Sequence, residues 1–198
     1  MNKSLFEERY CAFLDVLGFS QSVYSAFRER SSQKREEETA RLIELYSQLT
    51  REAETLDKQI HYSQFSDSIF LSMPSHLEDA AGQIFRVVER ISTALLARGF
   101  LVRGAVVRGQ VYAQDGMIFG PALIDAYKLE SQVASHPMII VSRSVKQSLT
   151  EPGDAMSKLL TSVDGPYYLN CLGIFEKVAN STAEGLERDP IILERILH

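Results

Sequence analysis

The spacing of apolar residues along this chain switches between short continuous runs and a three-to-four-residue period, in an order that few folds accommodate. Tyr10 to Leu17 (YCAFLDVL) is short, apolar and aromatic-rich, and reads as a buried strand interrupted by one carboxylate. Gly18 breaks it. From Ser20 to about Leu56 the pattern is helical, with Leu42, Ile43, Tyr46, Leu49, Ala53 and Leu56 at spacings of three and four. The run SSQKREEE, Ser31 to Glu38, reads as a polar, solvated joint between two helices. Ile60 to Phe65 and Ile69 to Met73 are brief strands joined by a tight hairpin at Ser66, Asp67 and Ser68. A helix from about Leu77 to Arg98 ends at Gly99, and Phe100 to Val107 returns to strand.

Strand, helices, strand, strand, helix, strand is the order of a ferredoxin-like α+β unit, with helices covering a mixed sheet. The second half is less regular. Gln110 to Phe119 contains a hairpin or turn at Gln114, Asp115 and Gly116; Ala122 to Val133 is helical, Met138 to Val141 a strand, and Ser142 to Leu149 a short helix. The 198 residues fit one domain, with a core over about 10–150 and a C-terminal extension over 151–198. In that extension DGPYYLNCLGIF reads as strand or loop and PIILERILH as a short helix.

Asp15 and Asp67 each interrupt an apolar strand edge, where an unpaired charge costs several kcal/mol. In a ferredoxin-like sheet the first strand lies antiparallel to the third, so these two residues meet although 52 positions separate them. Crowded carboxylates repel, and a divalent cation is the usual remedy; hard oxygen ligands suit magnesium or manganese. After Asp15, the turn Val16-Leu17-Gly18-Phe19-Ser20 leads into a helix whose first amides can cradle phosphate.

A formal charge of −5 argues against nucleic acid as a partner, so an anionic substrate needs a local positive device such as bound metal. No membrane-length apolar run and no signal-like N-terminus are present, and the expectation is a cytoplasmic protein without direct membrane binding. Cys11 and Cys171 lack ligand spacing and read as buried thiols. His61, His76, His136 and His198 show no paired ligand spacing either.

FLDVLGFS (Phe13 to Ser20) resembles the first metal motif of class III adenylate and guanylate cyclases, and QFSDSIF (Gln64 to Phe70) is similar to their second metal hairpin. RGAVVRGQVYAQDGMIFGPALIDAYKLES (Arg103 to Ser131) resembles their later strand, hairpin and helix. The resemblance implies that Asp15 and Asp67 bind two Mg²⁺ or Mn²⁺ ions per site, with the Val16 carbonyl completing one of them. It also implies that Gly18, Phe19 and Ser20 hold the β and γ phosphates of a ribonucleoside triphosphate. It further implies a homodimer with active sites at the interface, Lys128 reaching across from the second subunit.

The departures carry information. Where adenylate cyclases have a base-reading lysine this chain has Ser63, and the partnering aspartate is replaced by Met117. The transition-state asparagine matches Ile124, with Asp125 beside it, and the arginine four positions later matches Lys128. FLDVLGFS and FGPALIDAYKLES look most like the pyrimidine cyclases of bacterial anti-phage Pycsar systems. That implies UTP or CTP as substrate, with UTP favoured, and a cyclic product that activates a separate effector. The alternatives are a purine cyclase with an atypical pocket and a catalytically silent nucleotide-sensing module.

Tyr62 either narrows the base pocket with Ser63 or is an ordinary strand aromatic. Phe13, two positions before Asp15, either packs against nucleotide or belongs to the core. Arg103 and Arg108 either contact triphosphate or are surface residues at strand ends.

Overall fold

A computed structural model describes residues 5–114, 117–134, 136–149, 159–161 and 166–171. The elements run β1 (Glu7–Val16), α1 (Phe19–Arg28), α2 (Ser32–Glu54), β2 (His61–Phe65), β3 (Ser68–Pro74), α3 (Ala80–Leu96), β4 (Val102–Gln114), β5 (Met117–Phe119), α4 (Pro121–Val133), β6 (Ile139–Val141), α5 (Arg143–Ser148), β7 (Leu159–Thr161) and β8 (Tyr167–Leu169). The first four strands lie in the order β2-β3-β1-β4, every neighbour antiparallel. That is the expected ferredoxin-like arrangement. β6 joins β4 in parallel, making the sheet mixed, and β8 and β7 extend that edge.

Side chains alternate across a strand, so β1 sends Tyr10, Ala12, Leu14 and Val16 into the larger core and Cys11 and Phe13 to the opposite face. The larger core lies against α2 and α3, whose Leu45, Leu49, Ile84, Phe85, Val88, Ile91 and Leu95 repeat at three and four. Each such side chain, fully buried, contributes about 1.5–3 kcal/mol. Gly99 takes φ 76 after α3, allowing the Phe100 amide to donate back to the Leu95 carbonyl at 3.0 Å. On the other face α4 lays Ala122 and Ala126 over Cys11, Phe70, Val107 and Val111.

Several boundaries differ from expectation. The KREEE stretch belongs to α2 and not to a joint, because Lys, Arg and Glu are good helix formers on an exposed face; the break is confined to 29–31. β4 extends to Gln114, held by β1 as far as Glu7 opposite Val111 and then by β5. The strands β7 and β8 place part of the 151–198 region inside the main sheet, with Leu169 in the larger core. Asp115 and Gly116 of the expected turn, and the expected terminal helix, lie outside the described residues. Among the described residues no helix is long and apolar enough to cross a membrane.

Candidate active site

The pairing of β1 with β3 sets Asp15 opposite Ser68, so the two-residue turn of Ser66 and Asp67 abuts the end of β1. Ser66 has φ 54, the positive value that tight hairpins demand at a central position. The Val16 amide then donates to the Asp67 carbonyl at 3.1 Å, and the Leu17 amide to the Leu101 carbonyl at 2.8 Å. The backbone thus brings the two aspartates together.

Arg103 stands opposite Asp15 on the other side of β1. Its Nη2 lies 3.5 Å from Asp15 Oδ2, while its Nε forms an ion pair with Glu130 Oε1. The Glu130 side chain is only 3% exposed and that of Asp15 22%. Burial pushes the Asp15 carboxyl up to about 6, reinforced by the neighbouring charges of Asp67 and Glu130; Arg103 pulls the other way. A carboxylate raised by burial and like charge has a deficit of positive charge around it, which is what a divalent cation supplies.

Oxygen-only donors suit Mg²⁺ or Mn²⁺. Among the described residues no group of three or more His, Cys, Asp and Glu is arranged to hold a metal. An ion held here would take its remaining coordination from main-chain carbonyl, water and substrate oxygens, as is usual for Mg²⁺ bound with phosphates. The residues present fit such an ion. The Val16 side chain is buried on the opposite face, so Val16 offers its main chain alone.

At the start of α1, Gly18 has φ 76, and a Cβ placed there meets nothing within 4 Å. The first intrahelical bond runs from the Ser22 amide to the Gly18 carbonyl, so the amides of Phe19, Ser20 and Gln21 precede it. The first turn has neither an acidic residue nor a side-chain cap. This is an open helix N-terminus beside Asp15, suited to anionic oxygen. Phe19 turns its ring into the core, 6.0 Å from that of Tyr46, whereas Ser20 is exposed.

The other expected residues divide by sheet face. Ser63 pairs with Phe70, which pairs with Phe13, so Ser63 and Phe13 share the face of Asp15. Phe13 meets Tyr127 of α4 edge-to-face at 5.6 Å and packs against the smaller core. Tyr62 points to the opposite face, packs against the larger core and donates its hydroxyl to Gln64 Oε1 at 2.8 Å. The strand alternation that puts Ser63 beside the site takes Tyr62 away from it. Lys128 is exposed on α4 and is not among the charges acting on Asp15. Arg108 is engaged elsewhere, 2.6 Å from Glu8 Oε2. Cys11 is a buried thiol, pushed up to about 12 by desolvation.

Sequence reasoning passed over Glu130 and Phe65. Glu130 continues the buried α4 positions Ala122 and Ala126 at intervals of four, a charged residue on an apolar stripe. Phe65 pairs with Ser68, which pairs with Asp15, so this 84% exposed ring shares the row of the site.

No protein-family model and no curated protein matches this sequence. Solved structures do match. The adenylyl cyclase CyaB from P. aeruginosa is 12% identical over 83% of this chain and 94% of that one, with a TM-score of 0.51. The chain has the class III nucleotide cyclase fold. A class III adenylyl cyclase-like ATP-binding protein from Pseudomonas aeruginosa is 14% identical, TM-score 0.50, over 74% of this chain; the match spans about a third, 35%, of that protein. The catalytic core of a rhodopsin-guanylyl cyclase with converted specificity, in complex with ATPαS, is 16% identical over 83% of this chain and 95% of that one, at a TM-score of 0.49. At these identities the class III likeness is one of architecture.

Proposed function

We propose that this chain is a metal-dependent nucleotide cyclase that closes a ribonucleoside triphosphate into its 3′,5′-cyclic monophosphate and releases pyrophosphate. The observation that carries the reading is the convergence of Asp15 and Asp67 beside the open N-terminus of α1. Asp15 and Asp67 hold two Mg²⁺ or Mn²⁺ ions, with the Val16 carbonyl. The amides of Gly18, Phe19 and Ser20 orient the β and γ phosphates. When bound, the ions supply charge neutralisation at the α-phosphate and ease deprotonation of the ribose 3′-hydroxyl. The 3′-oxygen forms its bond to the α-phosphorus as the bond to pyrophosphate breaks, and the protein contributes no covalent nucleophile.

The enzyme works as a homodimer, with Lys128 of one subunit serving the metal aspartates of the other. The exposed side of α4 supports this, since Ile124 at 54% and Tyr127 at 55% flank Lys128 with apolar surface. The substrate is a pyrimidine nucleotide, UTP before CTP. Ser63, on the face of Asp15, and Met117 stand where a purine-reading lysine and aspartate are found in adenylate cyclases. The product is the signal of an anti-phage defence system and activates a separate effector.

The test is to incubate the purified protein with each of the four ribonucleoside triphosphates and Mn²⁺ and to identify products by mass. Cyclic UMP or cyclic CMP is the expected product. Dominant cyclic AMP or cyclic GMP would replace the pyrimidine assignment, and nucleotide binding without pyrophosphate release under any metal would end the enzymatic one.

A further inference from the structure

Arg103 gives Asp15 a cation before any metal arrives. Its main chain is fixed by the β1–β4 ladder directly across from Asp15, so only its side chain can leave. Its guanidinium touches two carboxylates unequally: the half-buried Asp15 at 3.5 Å, and the almost wholly buried Glu130 at closer range. The Glu130 contact is an ion pair between Arg103 Nε and Glu130 Oε1. Nη2 donates to Asp15 Oδ2 at 3.5 Å, the long end of the hydrogen-bond range, so the guanidinium is shared between the two carboxylates.

A guanidinium stays charged throughout the working pH range, and cannot occupy the same side of Asp15 as a divalent ion without strong repulsion. We propose that Arg103 is a resident counter-cation that a divalent metal must displace from Asp15, and that Glu130 is a positioning residue that receives the displaced guanidinium. In turning fully toward Glu130 the fork exchanges its long hydrogen bond to Asp15 for a two-pronged pairing with both oxygens of a planar carboxylate. The buried Glu130 thereby offsets part of the cost of admitting the ion. Bare metal binds weakly at this site and is favoured when triphosphate oxygens arrive with it.

This inference rests on Asp15 being a metal ligand, and Mn²⁺ titration without nucleotide, read by electron paramagnetic resonance of the free ion, tests both. Wild type binds Mn²⁺ and Asp15→Ala does not; a wild type without Asp15-dependent binding sinks the metal site and the inference together. Arg103→Gln binds Mn²⁺ about tenfold more tightly than wild type. Equal or weaker binding in Arg103→Gln, with wild type still binding through Asp15, overturns the inference alone. Glu130→Gln weakens binding about tenfold, and that loss shrinks to under about threefold when Arg103 is already Gln. Equal losses in both backgrounds make Glu130 a distant charge only and overturn its receiving role. Should Arg103→Gln fail to fold with Glu130 left unpaired, the double variant removes both charges; it must bind Mn²⁺ more tightly than Glu130→Gln alone, or Arg103 is not the competitor.

Discussion

The Val16 amide and the Asp67 carbonyl are joined at 3.1 Å, so main chain ties the hairpin turn to the end of β1 without help from either acidic side chain. The site is therefore assembled by backbone, and its carboxylates are a burden on the metal-free fold. The sign of that burden can be measured. Asp15 titrates at about 6 in the folded chain against an ordinary value of 3.8, so folding disfavours its charged form. The penalty is fully present above about pH 6 and is relieved as pH falls toward 4, amounting to at most about 3 kcal/mol. Urea denaturation in EDTA should show Asp15→Asn more stable than wild type at pH 7.5, with about a third of that advantage left at pH 4.5. A less stable Asp15→Asn at pH 7.5 contradicts the account.

Adding Mn²⁺ reverses the balance. A ligand that binds only the folded state stabilises it by about 2.7 kcal/mol at a hundredfold excess over Kd. Protons compete with metal for Asp15, so the rise in Tm should be large at pH 7.5, small at pH 5, and absent in Asp15→Ala. A Tm shift retained in Asp15→Ala would place the ion elsewhere.

The parts of this molecule that could be read in advance are those governed by local period and by pairing topology. The ferredoxin-like order followed from alternating runs of strand and helix, and that order alone set Asp15 against the turn at Asp67. The strands β7 and β8 are three residues each, too short to carry a period; β8 owes its place to pairing with β6, and β7 to pairing with β8. Glu130 was hidden for another reason. A glutamate four residues after Ala126 looks like a solvated helix position until Arg103, on a different element, supplies its charge partner. Tyr62 shows the reverse, since the two-residue period that places Ser63 with Asp15 was enough to send Tyr62 to the other face.

Gly18 joins fold and site through one dihedral. At φ 76 a side chain costs about 1–2 kcal/mol, and because a Cβ there meets nothing within 4 Å, the cost is conformational and not steric. Gly18→Ala should lower Tm by a few degrees while the protein still folds. If the amides that follow it hold phosphate, KM for the triphosphate should rise more than kcat falls, as Ser20→Ala, which leaves the backbone intact, should not show. An unchanged KM in Gly18→Ala would remove the phosphate role from this turn.

The face assignment separates two neighbouring residues in their effect on base choice. Tyr62→Phe removes a hydroxyl already held by Gln64 on the far side of the sheet, and should leave the ranking of the four nucleotides unchanged. Ser63→Lys introduces a long cationic donor on the side of Asp15 and should shift the ranking among nucleotides by about tenfold, the value of one added polar contact. A changed ranking in Tyr62→Phe together with an inert Ser63→Lys would invert the geometry.

A shared site makes a quantitative claim about mixed dimers. Asp15→Ala and Lys128→Ala homodimers each lack one partner at both sites and should be inactive or nearly so. When the two variants are unfolded together and refolded in equal amounts, about half of the dimers are mixed, and each mixed dimer regains one of its two sites. Activity should then return to about a quarter of the wild-type value. No recovery, with mixed dimers shown to form by mass spectrometry under native conditions, would mean that Lys128 acts within its own subunit or not at all.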